Sequence, residues 1–94
     1  MPSITQRIED KLRAGLAPLR LDIIDESHLH QGHAGHRPGG ETHFKLVIVS
    51  PAFAGLGRVA RQRLVHGLLK AELDERVHAL SLSCRTPEEA ALTP

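Results

Sequence analysis

The sequence has little cysteine, little aromatic content and no long apolar run. Among its 94 residues there is one cysteine, Cys84, with no tryptophan, no tyrosine and two phenylalanines. One cysteine excludes an internal disulfide and any metal site built from thiolates alone. The missing Trp and Tyr argue against stacking on single-stranded nucleic acid. No stretch approaches the length of about twenty apolar residues that a bilayer demands, so no membrane partner is expected. The opening Met1-Pro2-Ser3-Ile4-Thr5 has no apolar stretch of the secretory kind, and a reducing cytoplasm is the expected location. Charge is nearly balanced, with 12 Lys and Arg against 11 Asp and Glu, which does not by itself call for a polyanion. What the chain does have is histidine, seven in all.

A chain of this length removes roughly 65% of its unfolded surface from water on folding, enough for one modest core. It reads as a single domain over 1–94, with a core over about 4–84 and a tail, 85–94, that is a short helix or disordered. Ile4, Ile8, Leu12 and Leu16 recur every fourth position and predict a helix over 3–17. Ser3 or Thr5 is placed to cap it, and Pro18 ends it. Leu21 to Glu26 predicts a strand. Thr42 to Val49 predicts a second, with Phe44, Leu46 and Ile48 on one face and His43 and Lys45 on the other. After the turn residues Pro51, Gly55 and Gly57, an apolar stripe of Leu64, Val65, Leu68, Leu69 and Leu73 predicts one helix over Arg58–Leu73. Val77 to Cys84 predicts the third strand, with His78, Leu80, Leu82 and Cys84 on one side. Thr86-Pro87-Glu88-Glu89 has the form of a capping box.

The order α-β-β-α-β-(α) predicts an α+β fold. It is a three-stranded mixed sheet with its first two strands antiparallel, its last two parallel, and helices packed on one face.

Three features point to chemistry. The first is the long segment between the first two strands, which carries His28, His30, His33 and His36 and leads into His43. Neutral imidazole suits borderline metals. The spacing lacks the cysteines of a zinc finger, and a solvated loop accounts for it equally well. The second is His78, at the start of the third strand. A rim or core histidine is the plain reading, and a ligand at a sheet end is the functional one. The third is the run between Glu41 and Glu72, which has no acidic residue but has Arg58, Arg61 and Arg63 near the start of a helix. Cations there oppose the helix dipole unless an anion is bound. These arginines are therefore candidates for anion or nucleic-acid binding, against the commoner reading of a solvated helix face. No nucleophile–base pair has a recognisable context, so an enzyme is not expected.

Several of these stretches resemble the BolA family. They are Ile24-Asp25-Glu26-Ser27, Pro38-Gly39-Gly40-Glu41-Thr42-His43-Phe44, Val49-Ser50-Pro51-Ala52-Phe53-Ala54-Gly55, Arg61-Gln62-Arg63-Leu64-Val65 and Val77-His78-Ala79-Leu80. The resemblance runs over about residues 4–87, with the motifs in order. It implies a fold similar to the class II KH domain. It also implies an adaptor that pairs with a monothiol glutaredoxin and shares a bridging 2Fe-2S cluster with it. The family's ligands map to His78 and to a loop residue, here His33 within Gly32-His33-Ala34, with His30 and His36 as close alternatives. The glutaredoxin would supply a cysteine, and glutathione the fourth thiolate. The family often has Arg-His-Arg where this chain has Arg61-Gln62-Arg63, so the middle imidazole has no role here. BolA-like proteins are also described as transcriptional regulators, which adds DNA as an alternative partner. A weak homodimer stays open.

Overall fold

The computed structural model describes residues 3–26 and 43–92. The first helix, α1, spans Ile4–Leu16, and all four residues of its predicted stripe are buried. Ser3 is the cap, its hydroxyl accepting from the Gln6 amide at 3.0 Å. The helix ends at Ala17, whose left-handed φ of 43° turns the chain out before Pro18. The buried Ser50 hydroxyl donates to the carbonyl of Leu16, giving that helix end a partner within the core.

Strand β1 (Arg20–Asp25) pairs antiparallel with β2 (His43–Val49), and β2 pairs parallel with β3 (Ala79–Arg85), in the sheet order β1-β2-β3. The register sets Ile23 against Leu46 and Leu46 against Leu82. Alternation along β2 sends Phe44, Leu46 and Ile48 to one side, where all three are buried against α1 and the second helix, α2 (Arg58–Leu68). Leu21, Ile23, Leu80, Leu82 and Cys84 pack at the margins of this cluster. Lys45 and Ser81 point to the other side and are exposed. The predicted α+β architecture and its strand order are those observed.

One feature of the helical layer differs from the sequence reading. The single helix expected over Arg58–Leu73 is two helices. α2 stops at Leu68, and α3 runs over Lys70–Glu75, with Leu69 between them at φ −105° and ψ 16°. Gly67, just upstream, adds no helix-favouring side chain. Glu72 on α3 lies under α1, where Arg7 and Lys11 reach it. Gly15 lies in the last turn of α1, facing α2. A Cβ there would lie 2.9 Å from the methyl groups of Leu68, which would have to shift to admit one. The predicted capping box is present. The Thr86 hydroxyl accepts from the Glu89 amide at 3.2 Å, the Glu89 carboxylate accepts from the Thr86 amide at 2.9 Å, and α4 follows over Pro87–Leu92. Among the described residues no helix is long and apolar enough to cross a membrane.

Candidate functional site: the two ends of strand β3

The parallel register places Ala79 beside His43, so His78, one residue before β3, lies at the same end of the sheet as the start of β2. His78 is exposed. It shared the expected inward side of the strand with Leu80 and Leu82, but β3 begins at Ala79, and the chain leaves the pleat before His78 can turn inward. His43 is buried, and its ring centroid lies 6.3 Å from that of His78 with the planes 35° apart.

The segment 27–42 is tied to the same place at both ends. It leaves β1 after Glu26, whose amide donates to the His43 carbonyl at 2.7 Å, and it returns directly into His43. His30, His33 and His36, together with His28, lie in that segment and so outside the described residues.

The donor set at this end is imidazole without sulfur. Cys84 is six residues along β3 from His78, roughly 20 Å at strand spacing. Burial pushes its thiol up from the ordinary value, with Arg61 opposing, so it favours the protonated form. Among the described residues no three His, Cys, Asp or Glu side chains converge as a metal cage would require. Two imidazoles alone would fill only part of the coordination sphere of a soft metal.

The arginines lie toward the other end of β3, and they do not form one patch. Arg58 is exposed on the first turn of α2, and Arg63 faces a shallow hollow with Val59, Gln62 and His66. Arg61 is only 13% exposed and is heavily used. Its Nε donates to the Leu56 carbonyl at 2.8 Å, its Nη1 to the Cys84 carbonyl at 3.1 Å, and both Nη atoms to the Glu89 carboxylate. Its guanidinium lies 5.9 Å from the Phe53 ring centre. The anion that the sequence reading called for is thus, in part, the chain's own Glu89. Arg61 first, and then the Thr86 amide, hold the Glu89 carboxyl at about 2. Arg58, Arg61 and Arg85 line one cleft of about 540 Å³ between α2, β3 and α4. Arg85 was missed in the sequence because it lies well beyond the helix that drew attention, and only the crossover brings it near.

A family model described as "BolA-like protein" matches residues 12–89. The chain is 48% identical over 86 residues to "Protein BOLA1, chloroplastic" of Arabidopsis thaliana, covering 89% of this chain and 54% of that protein. It therefore spans about half the length of that relative. It is 43% identical over 86 residues to the "DNA-binding transcriptional regulator BolA" of Escherichia coli, covering 92% of this chain and 78% of that one. The solved BolA domain of SufE1 from Arabidopsis thaliana superposes with a TM-score of 0.84 at 45% identity, over 95% of this chain and 98% of that one. The shared fold, the ordered motifs and the breadth of the match lead to one conclusion: the chain belongs to the BolA family.

Proposed function

We propose that the protein is a non-enzymatic adaptor that binds a monothiol glutaredoxin and co-ligates a bridging 2Fe-2S cluster. Its own ligands would be His78 and one loop histidine, His33, with His30 and His36 as alternatives. The observation that carries this reading is the gathering of nitrogen donors at one end of the sheet. His78 is exposed there, His43 is beside it, and both stems of the histidine-bearing segment are anchored there. The lack of any thiolate at that end fits a site completed by a partner's sulfur. The group would supply one-electron redox chemistry and a mixed nitrogen and sulfur ligand set, with a potential raised by imidazole. The chain's part is to present neutral imidazole nitrogens at a rim that a second protein can reach. Because imidazole must be unprotonated to bind, assembly should weaken in acid.

The test is co-expression with a monothiol glutaredoxin and glutathione, followed by iron analysis and visible circular dichroism of the purified complex. His78→Ala should change the visible spectrum and lower bound iron. A spectrum identical to that of the unaltered pair would remove His78 from the ligand set. Individual replacement of His30, His33 and His36 then assigns the second ligand.

A second reading is supported by the exposure of Arg58 and Arg63 on α2 and by the similarity to the DNA-binding transcriptional regulator of Escherichia coli. In it the outer arginines contact DNA phosphates. Binding would weaken steeply with salt, and the slope would fall by about one for each arginine replaced by glutamine. A salt slope unchanged by both replacements would count against it.

A further inference from the structure

Among the described residues strand β3 lies at the edge of the sheet and pairs with β2 alone. The Ser50 amide donates to the Arg85 carbonyl at 2.9 Å, so the backbone polar groups of Arg85 face β2. By the two-residue alternation of a strand, those of Leu80, Leu82 and Cys84 face outward. The bond from Arg61 to the Cys84 carbonyl, made by a helix on that outer side, agrees with this direction. Among the described residues, no backbone group pairs with Leu80 or Leu82 on the outer edge. An open edge of this kind is a template for another strand.

The cleft of about 540 Å³ runs along this edge, bounded by Leu82 and Cys84 on β3, by Arg58 and Arg61 on α2, and by Arg85. One carboxylate already lies in it, held by both terminal nitrogens of Arg61. That carboxylate belongs to α4, a helix of six residues with none buried, and its last residue, Leu92, is 83% exposed. So short a helix has little stability of its own. It is held by its capping box, by Arg61 and by limited packing on β3. Glu89 therefore occupies the position that a carboxylate from another chain would take.

We propose that this cleft receives an acidic, extended segment of a partner protein, which adds to the outer edge of β3 and takes Arg61 from Glu89. Backbone pairing along Leu80 and Leu82 supplies the affinity common to any strand. Selection for acidic side chains comes from Arg58, Arg61 and Arg85. A phosphodiester backbone has acceptors but no donors to match a strand edge, so DNA is the poorer occupant. The α4 helix acts as a built-in competitor. It covers the arginine until a partner with more than one carboxylate displaces it. This cleft is distinct from the histidine end of the sheet, and its use requires neither iron nor glutaredoxin.

The experiment is an amide NMR titration of the full chain with a blocked peptide of about eight residues alternating Glu and Val. A Lys and Val peptide of the same length and a short DNA duplex serve as comparators. The acidic peptide should shift the amides of Leu80, Leu82 and Cys84 and the side-chain signal of Arg61. Glu89→Gln keeps the capping box, since glutamine serves at that position, but removes the competing charge. It should tighten the acidic peptide about threefold or more, as a closed state is relieved. Arg61→Lys and, separately, Arg58→Ala should weaken it several-fold. Arg58 is exposed, so the second variant reports even if the first loosens the fold. Equal shifts with the basic peptide would overturn the proposal, as would an affinity indifferent to Glu89→Gln. Cleft shifts with DNA but not with the acidic peptide would overturn it as well.

Discussion

Glu72 and Glu89 each hold an arginine, one beneath the helical layer and the other on its rim. Glu72 is fully buried, and its two oxygens take Arg7 at 2.8 Å and Lys11 at 2.9 Å. Burial alone would raise its carboxyl. Lys11, and then Arg7, outweigh that and hold it below the ordinary range. Glu89 has a side chain 46% exposed, and its attraction to Arg61 is not opposed by comparable desolvation. The same two functional groups therefore do different work. The buried carboxylate joins α1 to α3, and removing it strips Lys11 of this partner and leaves Arg7 to Glu75. The rim carboxylate holds a short helix in which no residue is buried.

The largest expected effect is on the buried side. Glu72→Ala should cost about 3 kcal/mol in denaturant unfolding, at the low end for a broken buried pair because Arg7 and Lys11 retain some water. Replacing Arg7, Lys11 and Glu72 together by apolar residues of similar size should recover much of that loss, since the neutral set carries no desolvation cost. If Glu72→Ala unfolds at the same midpoint as the unaltered protein, the contrast between the two glutamates fails. Next in size is Ser50→Ala. Ser50 is buried, neutral, and bonded both to the Leu16 carbonyl and to the Ala52 amide. Losing the hydroxyl should cost about 1–2 kcal/mol by the same measurement.

These interactions also mark the limit of what the sequence reveals. The stripe of Ile4, Ile8, Leu12 and Leu16 could be read because helix spacing is local. The alternation of Phe44, Leu46 and Ile48 gave the sheet's inner face in the same way. Glu72 could not be recognised, because a charge on a helix usually faces water and its partners lie 61 and 65 residues away. The break at Leu69 was hidden because the leucine stripe runs straight through it. His78 could be singled out from its motif. Its place on the rim depends on where β3 begins, and its neighbour His43 depends on a parallel register, and neither is encoded within a few residues. Arg61 looked available because Glu89 is 28 positions downstream. The assignment of a loop histidine rests on residues outside the described part of the structure.

The smallest expected effect sharpens the comparison most, because it separates the rim from the rest of the fold. The Glu89 carboxyl is lowered from 4.5 to about 2. A depressed value in the folded chain means the unfolded or detached segment binds protons first as acid is added. The hold on α4 is therefore complete above about 4.5 and is lost as the pH falls toward 2. Carbon NMR of the Glu89 carboxyl should show a midpoint near 2, with the amides of 87–92 shifting over the same range. In Arg61→Gln that midpoint should rise, since the first cause of the depression is gone. In Glu89→Gln the α4 amides should lose this acid-dependent change, and the unfolding midpoint of the whole chain at neutral pH should not measurably move. A midpoint near 4.5 in the unaltered protein would mean that Arg61 does not hold Glu89 in solution. A large loss of global stability in Glu89→Gln would place Glu89 with Glu72 as part of the framework, and would deny α4 the freedom to leave.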